Sequence, residues 1–314
     1  MLSQNNYKKR LRQGSRFRIK MAFRTSYFMS IMSAVILILT TSMYYQLKEI
    51  SSRLSHVEDR NLKPFPDSFK SDSSRTSPIN SSYTKHLRRE ALRNVLNSRK
   101  MILEAANQSD HNIFYKSVAM EAFCEKNVRI GNKGDGGKHV CNPAAVKKEA
   151  CTLLSLGLNN NIEFDLAMHN ATEKRCKILG ADKDAQNSQT QKSYEEIGGQ
   201  LFVGMIPNQL QISTMLSKAE RSDVELLKID IEGGEVTGLE PFIKDYFVCQ
   251  IFIELHGGRP QDHLEMLRMM SRYGFRLFNI EPNPYCKHCC EYSLINEMCM
   301  TQFGVVPLAI TIPH

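Results

Sequence analysis

Leu226-Leu227-Lys228-Ile229-Asp230-Ile231-Glu232-Gly233-Gly234-Glu235 is the stretch on which the fold turns. A short apolar run of strand length ends in two carboxylates, Asp230 and Glu232. Gly233 and Gly234 then permit a tight turn with room for a ligand. Ile251-Phe252-Ile253-Glu254-Leu255-His256-Gly257-Gly258 repeats the plan: apolar run, carboxylate, histidine, paired glycines. Charged groups are costly inside a sheet unless partnered. Asp230, Glu232, Glu254 and His256, gathered at the ends of two strands, therefore indicate a site.

Working outward, apolar runs at 152–156, 177–179, 201–203, 225–230 and 250–255 alternate with helical patterns at 162–171, 209–219, 234–247 and 260–273. Strands that are apolar throughout and separated by helix-length spacers predict a parallel sheet covered on both faces. After Tyr273 the pattern changes. Runs at 275–280 and 301–306, joined by a cysteine-rich loop, predict an antiparallel closing hairpin. Upstream, 85–106 reads as an amphipathic helix with Leu87, Ala91, Leu92, Val95 and Ile102 on one side. A second helix is expected at 114–124, leading into a strand at 127–130.

The net charge of +8 suggests a nucleic-acid partner until it is located. Lys8, Lys9, Arg10, Arg12, Arg16, Arg18, Lys20 and Arg24 account for all of it, so no basic face is left for nucleic acid. No charge follows until Lys48, and 27–45 is apolar enough and long enough to cross a bilayer. Tyr27, Tyr44 and Tyr45 stand where interfacial aromatics stand, and the basic flank orients the segment with its N-terminal side in the cytosol. The expected organisation is a basic cytosolic tail (1–24), a transmembrane anchor (25–47) and a polar stem (48–84). A helical lead-in (85–126) and a catalytic-type domain (127–314) follow in the lumen of the Golgi or endoplasmic reticulum. That organisation is the one expected of a single-pass type II membrane protein. All nine cysteines then lie in a compartment that permits disulfides, and an odd count leaves at least one unpaired within the chain. Asn80, Asn107 and Asn170 head glycosylation triplets. Cys286-Lys287-His288-Cys289-Cys290 with Cys299 admits a zinc reading, but no second pair stands at finger spacing, and disulfides pinning the hairpin are the expectation.

Ligands of doubly wound sheets bind beyond the carboxyl ends of the strands. The first strand ends in Gly157-Leu158-Asn159-Asn160-Asn161, followed by Asp165 in the next helix. Gly157 allows close backbone approach, and the asparagines suit turns and caps. The second strand runs into Gly180-Ala181-Asp182, where a carboxylate can accept hydrogen bonds from both ribose hydroxyls of a nucleoside. Asp135-Gly136-Gly137 can fold over a ligand or serve as a plain turn.

LLKIDIEGGE resembles the fourth-strand motif of the FkbM-type methyltransferases. Together with RIGNKGDGGKHVC (129–141), LLSLGLNNNIEFD (153–165), IFIELHGG (251–258) and the cysteine-rich tail, it is similar to the membrane-anchored methyltransferase-like protein 24 group. The usual glycine-rich first motif is reduced here to Gly157 with asparagines. The resemblance implies an α/β, Rossmann-like class I methyltransferase sheet and S-adenosylmethionine as methyl donor. Gly157, Asn159, Asp165, Asp182, Asp230 and Glu232 are the candidate cofactor residues. Asp230, Glu254 and His256 are the catalytic candidates, for a small-molecule or glycan hydroxyl acceptor. A neutral His256 or Glu254 can act as base; alternatively Asp230, Glu232, Glu254 and His256 can hold a divalent metal. Two rival readings stand beside this one. Asp182-Lys183-Asp184 is a D-x-D triplet of the kind Golgi glycosyltransferases use for a metal-bound sugar nucleotide. The reduced first motif also fits a lumenal binding protein without activity.

Overall fold

Why the elements form where they do is clearest from the hydrogen-bonded ends of the helices and the burial of the strands. A computed structural model describes Thr41 and residues 81–313 apart from Gly134, Lys148 and Ala150. The expected tail and stem as far as residue 80, and all of the expected span but Thr41, lie outside the described residues. Among those described, no helix is long and apolar enough to cross a membrane.

Helix α1 (Ser82–Ala106) starts where the Ser81 hydroxyl accepts the Thr84 N–H, and it buries Ile102, Ala105 and Ala106. Leu92 lies on its exposed side. Helix α2 (His111–Ser117) is capped by Asp110 and stops at Ser117, short of the predicted 124. Residues Ala122–Cys124 form strand β1 instead. The reason is tertiary. Glu121 is buried and accepts the N–H groups of Thr311 and Ile312 at 2.8 and 2.9 Å, and Cys124 is disulfide-bonded to Cys141. A short apolar run looks alike as helix or strand until such partners exist. Strands β2 (Asn127–Ile130) and β3 (Lys138–Cys141) form an antiparallel ribbon.

The main sheet contains β4 (Thr152–Leu156), β5 (Lys177–Asp182), β6 (Gln200–Val203), β7 (Val224–Ile229), β8 (Val248–His256), β9 (Phe275–Pro282) and β10 (Cys289–Asn296). Helices α3 (Glu163–Ala171), α4 (Ser188–Glu196), α5 (Ile212–Lys218), α6 (Glu235–Asp245) and α7 (Pro260–Arg272) connect them. The strand order is β6-β5-β4-β7-β8-β10-β9, with the first five parallel and β10 antiparallel to both neighbours. Side chains alternate across it. Leu154, Leu156, Leu227, Ile229, Ile251 and Ile253 enter one core; Leu153, Ile178, Leu226 and Phe252 enter the other.

The closing hairpin is real, but its second strand is β10, not 301–306. Every residue of Cys289–Asn296 is buried, so no alternation marks it, and Glu291, Ser293 and Asn296 disguise it as loop. Met300–Phe303 forms the short helix α8 and Val305–Pro307 forms β11, which pairs with β1. Four disulfides join Cys124–Cys141, Cys151–Cys176, Cys249–Cys299 and Cys286–Cys289, leaving Cys290 free and buried. Cys249–Cys299 ties the start of β8 to the segment just after β10. Cys286 and Cys289 pair with each other, which takes from the zinc reading both of its closest thiolates.

Candidate active site

The strand order reverses between β4 and β7, the place where a doubly wound sheet opens a crevice. A cleft of about 780 Å³ lies there. Gly157, Asn159, Asp182, Asp230, Glu232, Glu254 and His256 all line it. Asp135 and Gly136 of the loop between β2 and β3 line it too, which favours the overlying-loop reading.

Its floor is backbone. Gly157 has φ +82, and a Cβ there would stand 1.6 Å from the carbonyl oxygen of Asp230. The Gly157 N–H donates to Ala181 O (2.8 Å) and the Asp230 N–H to Leu156 O (3.0 Å). The glycine is therefore required by the neighbouring strand end itself. The buried Lys228 donates to Gly157 O at 2.7 Å, and burial lowers its pKa. Asn159 and Asn160 take positive φ, 46 and 58. Asp182 holds this turn: Oδ2 accepts the Asn159 N–H at 2.7 Å and Oδ1 the Asp184 N–H at 3.0 Å. Neither Asp182 nor Asp184 belongs to a cluster of three or more possible metal ligands among the described residues.

Asp165 stands apart from the other predicted residues. It is fully buried on α3, accepts the Tyr194 hydroxyl at 3.0 Å, and does not line the cleft. It shares the inward stripe of α3 with Phe164 and Met168, and burial raises its pKa. Its place is in the core beneath the site.

At the other end of the cleft lies a charged cluster that the strand motifs show only in part. Lys138 of β3, 1 % exposed, donates to Glu291 and stands 3.6 Å from Asp230 Oδ2 and 3.8 Å from Glu254 Oε2. Those carboxylates raise its pKa against the effect of burial, which is the largest single influence. Burial and the Asp230 charge raise the pKa of Glu254, whose Oε1 accepts from Asn283 at 2.8 Å. Burial pushes Glu291 up to about 8. Lys138, Glu291, Asn283 and Lys228 were not singled out by the sequence motifs. One signal was present: lone charges inside otherwise apolar strands, as in LLKI and CCEYSLIN, are tolerated only with buried partners.

His256 differs from the neutral base expected of it. Its Nδ1 lies 3.3 Å from Oε1 of the buried Glu235, and its Nε2 lies 3.5 Å from Glu232 and 4.0 Å from Asp230. The hydrogen bond to Glu235, with the surrounding carboxylates, raises its pKa to about 9. Near neutral pH it is an imidazolium. Glu232, at φ +55, is exposed at the rim.

A parallel doubly wound sheet closed by an antiparallel hairpin, with its cleft at the switch point and a carboxylate after the second strand, is a Rossmann-like methyltransferase fold. Residues 106–277, more than half of the chain, match the family model for the methyltransferase FkbM domain, and the chain belongs to that family. No curated protein matches it in sequence. Among solved structures it is similar to Aeropyrum pernix fibrillarin in complex with natively bound S-adenosyl-L-methionine. That likeness has 10 % identity and a TM-score of 0.37, over 47 % of this chain and 67 % of that one. Methanococcus jannaschii fibrillarin, a pre-rRNA processing protein, has 13 % identity and a TM-score of 0.36 over 55 % and 84 %. M. capricolum TrmK in complex with S-adenosyl-homocysteine has 12 % identity and a TM-score of 0.33 over 49 % and 66 %.

Proposed function

We propose that the chain transfers a methyl group from S-adenosylmethionine to a hydroxyl of a glycan or other secreted acceptor. We further propose that it does so as a member of the membrane-anchored methyltransferase-like protein 24 group. The observation that carries this reading is the cleft, with Asp182 at one end and the Asp230–Glu254–Lys138 cluster at the other. The residues fit the cofactor. The floor at Gly157 is backbone held against the Asp230 carbonyl, and the Asp182 carboxylate has lone pairs beyond the two its backbone partners use. The cofactor supplies a sulfonium-bound methyl group open to in-line attack.

Asp182 binds the ribose hydroxyls and Asn159 lies against the same end. Asp230 orients the reacting end, held through Oδ2 by Lys138. Glu254 would take the proton of the acceptor hydroxyl, to which the bound cofactor would supply the methyl group. A buried carboxylate with a raised pKa is a better base near neutral pH than an ordinary one. His256 stands among the carboxylates of Glu235, Glu232 and Asp230.

The lumenal placement rests on the basic 1–24 segment, the apolar span after it, and four disulfides, which persist in oxidising compartments. Asn107 and Asn170 are exposed and so accessible for glycosylation. Calorimetry of the full-length chain with S-adenosylmethionine and with sugar nucleotides tests the cofactor. Saturable binding of the first alone is expected; binding of sugar nucleotides alone would favour the D-x-D reading. Transfer of labelled methyl to secreted glycoproteins tests the acceptor, and binding without transfer to any hydroxyl acceptor would favour an inactive lumenal binder.

A further inference from the structure

Three sets of side chains in the described structure bring metal-ligand atoms together. Cys286, His288 and Cys289 form one; Glu254, His256 and Cys289 form another. Both depend on sulfurs that the Cys286–Cys289 disulfide has already taken. The third set, Asp230, Glu232 and His256, needs no thiol. Its ligand atoms all lie within 4.8 Å of one another, and all three residues line the cleft.

Each ligand is set by something outside the set. Lys138 stands on Oδ2 of Asp230, so Oδ1 is the atom that meets His256. The imidazole is held from behind by Glu235, whose side chain is 2 % exposed and whose Oε1 also accepts the Ile231 N–H at 3.0 Å. A carboxylate on the far nitrogen of a histidine is the usual support of a metal-ligating imidazole, because it fixes the ring and leaves the other nitrogen to the ion. Glu232 comes from the exposed rim and is free to adjust. An ion with bonds of ~2.1 Å in octahedral geometry puts neighbouring ligand atoms about 3 Å apart. The His256 contacts of 3.5 and 4.0 Å are within small side-chain movements of that spacing.

We propose that Asp230, Glu232 and His256 hold one divalent cation, with its remaining coordination positions open to the cleft. Two carboxylate oxygens and one imidazole nitrogen suit an ion that accepts mixed oxygen and nitrogen ligands, such as Mn²⁺. With Nδ1 facing Glu235, Nε2 is the ring nitrogen left to the ion. An ion here can take an acceptor oxygen into an open position, the task a Lewis acid performs in group transfer. The binding site stands independently of the methyl-transfer reading, so its test omits the cofactor.

Mn²⁺ is titrated into the full-length chain, and the free ion is followed by electron paramagnetic resonance. One bound Mn²⁺ per chain at this site is expected. Glu232→Gln, at an exposed position that leaves folding intact, should weaken binding at least ~10-fold, and Glu235→Gln by about 10–100-fold through the histidine. His256→Ala should abolish it. Absence of bound Mn²⁺ overturns the proposal. So does binding unchanged by Glu232→Gln, or binding lost in Asp184→Asn and kept in Glu232→Gln, which places the ion at the D-x-D triplet.

Discussion

Replacing Asp182 with alanine removes one carboxylate that has two tasks in this structure. It accepts the Asn159 N–H at 2.7 Å and the Asp184 N–H at 3.0 Å. Charge-assisted bonds of this kind contribute about 1.5–3 kcal/mol each when water cannot replace the partner. Asp182 is only half-buried, so water recovers much of that, and the folding cost should be about 1–2 kcal/mol. For a domain of this size that is a fall in Tm of roughly 2–8 °C. If the same carboxylate holds both ribose hydroxyls, the cofactor loses a further ~1–3 kcal/mol, a Kd raised about 5–150-fold. Calorimetry with S-adenosylmethionine and a thermal melt, run on the same preparation, read the two tasks separately. Asp182→Asn keeps one acceptor oxygen and should fall between the wild type and alanine. A variant with a lowered Tm and an unchanged Kd would refute the ribose assignment, leaving Asp182 as a brace for the Asn159 turn.

Gly157→Ala should destabilise the domain by at least ~3 kcal/mol, since the backbone is left-handed and the new Cβ meets the Asp230 carbonyl; a loss below about 1 kcal/mol on urea denaturation would contradict that approach. Glu254→Gln should slow methyl transfer by about 10²–10⁴-fold while S-adenosylmethionine binding changes by no more than a few fold, as expected of a base and not of a cofactor ligand. His263 is fully buried, and burial lowers its pKa to about 4 against ~6.5 in an unfolded chain. The unfolded chain therefore takes up this proton first. The stabilisation is complete above pH ~6.5 and is lost as pH falls towards 4, by up to about 3 kcal/mol. His263→Gln should flatten that part of the urea-midpoint profile, and an unaltered profile would show that the buried imidazole does not set it.

The sheet was legible because its central strands are apolar on both faces, and a run such as TLLSL or VCQIFIEL has few other fates. Strand ends carrying Asp182, Asp230, Glu254 and His256 were legible for the complementary reason: charge follows apolar sequence where a strand leaves the core. What escaped depends on contacts distant in sequence. Lys138 reads as one more lysine in a glycine-rich loop until Glu291, over 150 residues away, pairs with it. Asp165 reads as a ligand from its place after the first strand, and only the packing of α3 shows it pointing into the core. The surroundings of His256 depend on Glu235, whose Oε1 lies 3.3 Å from Nδ1, a contact that residue order alone does not give.

Lys138 comes from the β2–β3 ribbon, not from the main sheet, and it is the cation that Asp230, Glu254 and Glu291 share. These carboxylates belong to β10, to β8 and to the residue that follows β7. A sheet excised with its helices would carry these acids without Lys138, the lysine that reaches all three. Glu291 also lies beyond the matched stretch of 106–277. The centre is thus a lock whose key parts, Lys138 and Glu291, stand 153 residues apart, and a fragment that stops at residue 277 lacks one of them.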